Sequence, residues 1–146
     1  MEKQTIDINS ARYLIGIDPG TNCGIAVYCK GSRQFGLITT VKIHRAMDMV
    51  LNFYAEVDTF FVRVEDARLR QWFGRSDRER LQGAGSIKRD CKIWEDFLTD
   101  NGIAFELVAP RDNMTKLSAA AFKKMTGYRG HTGVNGRDAA MLVYGF

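Results

Sequence analysis

The sequence predicts an α/β domain with one five-stranded mixed sheet, an antiparallel three-strand meander extended by two parallel strands and flanked by helices. Three observations predict it. The first third of the chain carries apolar runs parted by turn signals. The apolar spacing then lengthens to that of a helix, and strand and helix patterns alternate afterwards. A helix between two strands of one sheet makes a right-handed crossover, which sets those strands parallel.

Tyr13 to Asp18 reads as the first strand and Gly24 to Cys29 as the second, joined through the Pro19-Gly20 turn. "KGSR" is a further turn, and "QFGLITT" completes the meander. From Lys42 to Ala55 the residues Ile43, Ala46, Met47, Val50, Leu51 and Tyr54 follow helical spacing. "DTFFVRVE" is a strand ending at Glu65. "DARLRQWFGRSDRERLQ" is too polar and irregular to assign to an element, and is read as a loop leading into a helix start. Ile87, Cys91, Trp94, Phe97 and Leu98 mark a helix that stops at Asn101-Gly102. "IAFELVA" is the last strand, closed by Pro110, and Ser118 is the expected N-cap of "AAAFKKM". A glycine-rich loop, "GYRGHTGVNG", precedes a short final helix expected to begin near Arg137-Asp138. This order puts strand one beside strand four. Asp18 and Glu65 then both end strands at the edge where ligands of open α/β sheets gather.

A chain of 146 residues, 45% of them hydrophobic, suits a single domain over 1–146, with 1–11 expected as a flexible N-terminal extension. No internal repeat is visible, and no apolar run approaches the ~20 residues of a membrane span. "MEKQTIDINSARY" lacks the basic region and apolar stretch of a signal peptide, so a cytoplasmic location is expected, or the host-cell cytoplasm if the protein is viral. Cys23, Cys29 and Cys91 show neither CxxC spacing nor Cys/His clustering, and read as reduced, packed thiols. The net charge is a modest +4, but its distribution is uneven. Arg63, Arg68, Arg70, Arg75, Arg78, Arg80, Lys88, Arg89 and Lys92 crowd one quarter of the chain around Trp72 and Phe73. Arg111, Lys116, Lys123, Lys124, Arg129 and Arg137 form a second set. Basic clusters interleaved with aromatics suit a nucleic-acid surface, and equally a solvated charged face, because Asp66, Asp77, Glu79 and Asp90 interrupt the first set.

Two carboxylates about 4 Å apart repel by roughly 4 kcal/mol at an effective dielectric near 20. Such a pair persists at neutral pH when one is protonated or a cation lies between them. Hard divalent ions with oxygen ligands relieve that repulsion and also bind phosphate. Asp138, after the glycine loop, is a third acid able to reach the edge shared by Asp18 and Glu65. Three acids without a His/Cys cluster fit two-metal hydrolysis of a phosphodiester. Each acid also has a plainer role open to it. Asp18 can cap a turn through the amides of Thr21 and Asn22, Glu65 beside Asp66 can be a solvated strand end, and Asp138 can favour a helix start.

Taken in order, "GIDPGTNCGIAV", "VRVED" and "NGRDAAMLV" resemble the first strand and turn, the acidic fourth strand and the C-terminal acid and helix of RuvC-type Holliday junction resolvases, within the ribonuclease H-like fold. "GAGSIKRDCKIWEDFL" resembles the helix through which such small resolvases dimerise. The resemblance implies a homodimer that nicks opposed strands of four-way DNA junctions using Mg²⁺, with Mn²⁺ able to substitute and two ions per site. It implies Asp18, Glu65 and Asp138 as metal ligands. Asn135 stands where a fourth carboxylate is common, and His131 on the same loop is a candidate for ligation or proton transfer. For DNA contact it points to Trp72 or Phe73 as an aromatic entering the opened junction, with Arg75 nearby, and to Lys116, Lys123 and Lys124 on scissile-strand phosphates.

Three alternatives stay open. The Gly-x-Asp-x-Gly-Thr turn resembles that of sugar-kinase, actin and Hsp70-type ATPases, but those need two such domains, for which the chain is too short. A nuclease of the same fold acting on flaps, hybrids or other branched nucleic acids is the second. A catalytically weak junction-binding protein is the third.

Overall fold

The computed structural model describes residues 6–57, 59–69 and 78–146, with the side chains of 78–84 outside the description. The strands are β1 (Tyr13–Asp18), β2 (Asn22–Cys29), β3 (Gln34–Lys42), β4 (Phe60–Glu65) and β5 (Phe105–Val108). They form one sheet in the order β3-β2-β1-β4-β5. β1 pairs antiparallel with β2, which pairs antiparallel with β3, whereas β4 lies parallel to β1 and β5 parallel to β4. The helices are α1 (Ile43–Glu56), α2 (Arg78–Asp100), α3 (Ala119–Thr126) and α4 (Val134–Met141), with single 3₁₀ turns at Ala67–Leu69 and Pro110–Asp112. This is the five-stranded mixed sheet, an antiparallel meander plus two parallel strands, that the sequence predicts. Among the described residues no helix is long and apolar enough to cross a membrane.

The period of two along each strand sorts residues between two layers. Ile15, Ile17, Ile25, Val62 and Val64 point to one face, where Ala46 and Val50 of α1 and Trp94 and Leu98 of α2 close over them. The intervening residues point to the other face. There Leu14, Tyr28 and Phe61 meet Leu142 and Val143, and Ala26 and Ile38 meet Phe122, Ala139 and Ala140. Ile6, Ile8 and Ala11, from the segment expected as an extension, join this second layer, and Lys30 Nζ donates to the carbonyls of Ile8 and Asn9 at 2.8 and 3.2 Å.

On this second face α4 lies directly on backbone. A Cβ placed on Gly16 would stand 2.0 Å from the Ala139 carbonyl oxygen, and one on Gly24 would stand 1.9 Å from that of Asn135. Two strand glycines thus remove the side chains that would hold the helix off the sheet. Arg137, buried within α4, closes the α3 excursion by donating to the Leu117 and Thr132 carbonyls at 2.8 and 2.6 Å.

Element bounds differ from expectation in two places. α2 begins at Arg78, well before Ile87, inside the stretch too polar to assign. α4 begins at Val134, so Asp138 sits in its second turn and does not open it. Gly136 lies inside that helix because a Cβ there would press on Ile38 Cγ2 at 3.0 Å. Ser118 caps α3 as expected, accepting from the Ala121 amide at 3.1 Å, and Gly127 ends it at φ 73°. Gly24→Ala is expected to lower stability by about 2 kcal/mol or more, the cost of overpacking against immovable backbone. Gly31→Ala, where a Cβ meets nothing within 4 Å, should leave the urea midpoint nearly unchanged; equal effects at both positions would refute the close docking of α4.

Candidate active site

The register that pairs Ile17 with Val64 carries Asp18 and Glu65 to the same end of adjacent parallel strands. Both belong to the face that α4 covers, by alternation from Gly16 and Arg63. The docking of α4 on Gly16 and Gly24 brings Asp138 over the same edge. Burial, then the negative charges of Glu65 and Asp138, push the Asp18 carboxyl up to about 8. Among the described residues no hydrogen bond reaches the Asp18 carboxylate, so the turn-capping role through Thr21 and Asn22 is not what this side chain does.

The other two acids are held by one short segment that the sequence reading passed over. Asn113 Nδ2 donates to Glu65 Oε2 at 2.9 Å and to the Asp138 carbonyl at 3.0 Å, tying β4 to α4. Its Oδ1 is buried and, among the described residues, has no hydrogen-bond partner. Three residues on, the Lys116 amide donates to Asp138 Oδ1 at 2.7 Å from a left-handed backbone, φ 58°. Burial raises the Asp138 carboxyl, opposed by that amide and by the charges of Lys116 and Arg137. A lone Asn in "RDNMTK" carries no periodic or motif signal in the sequence.

Asp66 resolves the ambiguity of the acidic pair at the end of β4. It is buried, and Arg68 grips it through Nε to Oδ1 at 2.9 Å and Nη2 to Oδ2 at 2.7 Å. Burial pushes its carboxyl up, but the hydrogen bonds and charge of Arg68 outweigh this and hold it below the usual range. Arg68 also reaches Glu95 at 3.2 Å, fastening the turn after β4 to α2. Asp66 is therefore a brace, while Glu65 faces the site.

Asn135 lies one turn before Asp138 on α4 and donates from Nδ2 to the Asn22 carbonyl at 3.3 Å, at the start of β2. His131 is exposed and lines a surface cavity of about 400 Å³ together with Lys123 and Arg129, a cavity whose lining includes none of the three acids. Lys116, Lys123 and Lys124 are all exposed, Lys116 being the one beside the acids. Trp72, Phe73 and Arg75 lie outside the described residues. Three members of the basic sets are internal clasps: Arg63 pairs with Glu106 at 2.6 Å and stacks on Phe146, Arg68 holds Asp66, and Arg137 closes the α3 excursion. These three are engaged by partners within the fold.

Among the described residues no three His, Cys, Asp or Glu side chains are drawn together as a closed metal-binding set. What converges is charge and donor chemistry. Three carboxylates and the unpartnered Asn113 Oδ1 are all oxygen donors, the kind a hard divalent cation takes.

No family model matches the sequence, and no curated protein does. Among solved structures the fold is similar to T. thermophilus RuvC in complex with Holliday junction substrate, with a TM-score of 0.56 over 89% of each chain at 17% identity. At that identity the likeness is one of fold.

A carboxyl whose folded pKa is raised binds more protons folded than unfolded. Its contribution to stability is complete below the ordinary carboxyl range and is lost as pH climbs from about 4 towards 8. Asp18→Asn should therefore stabilise the protein in EDTA at pH 8–9, on the order of 2–4 kcal/mol at ~1.4 kcal/mol per pK unit, discounted for partial solvent contact. The gain should vanish near pH 4. Urea midpoints across that range check it, and identical profiles for both proteins would show that the buried charge is already compensated.

Proposed function

We propose that the chain is a divalent-metal-dependent endonuclease that resolves four-way DNA junctions. One observation carries the reading: Asp18, Glu65 and Asp138, from two parallel strand ends and a helix, lie at one edge, where burial and then the charges of Glu65 and Asp138 raise Asp18. An edge that repels its own carboxylates has a use for a cation, and Asp18, Glu65 and Asp138 would hold it. Mg²⁺ or Mn²⁺ there, as one ion or a pair, would polarise a phosphodiester and favour deprotonation of the attacking water. Asn113 orients Glu65, and the Lys116 amide orients Asp138. Lys116, exposed beside them, supplies a positive charge for the strand being cut. The likeness in fold to RuvC bound to a Holliday junction supports the choice of a branched substrate.

Opposed cuts need two such edges related by a twofold axis, so the active species is a homodimer. α2, with Ile87 and Ile93 exposed, offers the contact. Light scattering should give a dimer, free or on a junction.

The deciding experiment is cleavage of a labelled four-way junction beside hybrid, flap and duplex controls. Paired symmetrical nicks confined to the junction, dependent on Mg²⁺, are expected. Asp18→Asn should retain junction binding and lose cleavage by about a hundredfold or more, the scale on which removing one transition-state stabilising group acts. Preferential cutting of the hybrid would move the substrate within the fold. Binding without cleavage by the unaltered protein would leave a junction-binding role.

A further inference from the structure

Away from the acids, two cavities lie side by side along the β3 margin. One, of about 530 Å³, lies between the β2–β3 hairpin (Ser32 to Phe35) and residues 126–129. The other, of about 400 Å³, lies between the start of α3 and residues 128–132. Tyr128 and Arg129 line both, so the two adjoin at these residues. The Tyr128 ring packs edge-on to Phe35, and it occupies the space a side chain at Gly130 would need, since a Cβ there would meet it at 2.7 Å.

The lining has one sign of charge. Arg33 and Arg129 contribute to the larger cavity, Lys123, Arg129 and His131 to the smaller, and no Asp or Glu lines either. Among the described residues none of Arg33, Lys123 and Arg129 makes an ion pair. Arg33 is also held at φ 55°, a left-handed backbone that a long side chain adopts at a cost and that glycine adopts freely. An unpaired cation kept in a strained position points to a ligand that uses it.

The tract has a direction. Its hairpin end is level with the pair Cys29–Gln34, and its other end, at Thr132, adjoins Gly133, where an added Cβ would stand 3.8 Å from Thr40 Oγ1. Thr40 pairs with Gly24, and Gly24 pairs with Asp18. The tract therefore spans about six strand residues, roughly 20 Å, leading away from the acidic edge. That length matches about six steps of ~3.4 Å along one DNA strand.

We infer that the two cavities form a single backbone track for a DNA arm, with Arg33 and Arg129 contacting phosphates as the arm leaves the acidic edge. The inference rests on the nuclease reading for its substrate, but it is tested separately. Binding of a labelled DNA duplex by the full chain in EDTA, where nothing is cut, is followed by anisotropy from about 50 to 200 mM salt. The double variant Arg33→Gly, Arg129→Gln should bind about tenfold more weakly at the lower salt. The slope of log affinity against log salt should shrink by nearly two, since each phosphate contact accounts for about 0.9. Arg33→Gly alone should melt no lower than the unaltered protein, which separates lost contact from lost fold. The control, Arg45→Glu, changes the net charge by the same two units at one exposed position on α1 across the sheet. Equal weakening by the control, an unchanged slope in the test variant, or no duplex binding by the unaltered protein would each overturn the track. Junction cleavage that fails while the track variant still loses binding would remove the nuclease reading and leave the track standing.

Discussion

The backbone-to-backbone approach of α4 to β1 and β2 is the constraint on which the rest depends. Gly16 and Gly24 contribute no side chain, and so the Ala139 and Asn135 carbonyls descend to the sheet itself. That descent places Asp138 beside the strand ends that carry Asp18 and Glu65. It also puts Ala139, Ala140, Leu142 and Val143 into the two apolar clusters of the same face. Helix docking and assembly of the acidic edge are thus one event. A helix held off by even one methyl layer would lose apolar contact and separate the carboxylates together.

The electrostatic consequence runs against the packing. Burial, then the charges of Glu65 and Asp138, raises the Asp18 carboxyl to about 8, so the fold carries a cost at this edge that apolar burial of α4 must offset. The segment from Asn113 to Lys116 moderates that cost on the other two acids. Its amide groups bind Glu65 and Asp138, and a left-handed Lys116 is the conformational concession that aims one of them. Asp66 shows the contrasting case, where a full guanidinium makes burial of a carboxylate favourable. Neighbouring acids in the chain therefore behave oppositely because successive strand residues face different layers and meet different partners.

The sheet was legible because its signals are local. Turn residues after Asp18 and Cys29, the helical spacing from Ile43 to Tyr54, and crossovers that permit one hand left little freedom in strand order. The three acids were legible for the same reason, since strand ends and a C-terminal helix place them once topology is known. Three other features were not legible. The roles of Gly16 and Gly24 depend on what lies above them, which no periodicity reports. Asn113 acts through a contact with Glu65 across 48 positions of chain. The fates of Arg63, Arg68 and Arg137 depend on carbonyls and carboxylates supplied by other elements, so a count of basic residues could not separate them from exposed ones.

That separation changes what the charge of the protein means. With Arg63, Arg68 and Arg137 held by internal partners, the cations free to act on a partner are fewer than the sequence count, and some of them lie near the acids and the β3 margin. Lys116 stands at the acids, and Arg33, Lys123 and Arg129 stand along the β3 margin. A net charge of +4 is too small to attract a polyanion strongly from a distance. An uneven arrangement is different, because acids at one edge and unpaired cations leading from it set an orientation as well as an attraction. A cation bound by Asp18, Glu65 and Asp138 would strengthen that arrangement. It would turn the one repulsive edge into an attractive one, and its binding energy would add to the stability of the docked α4.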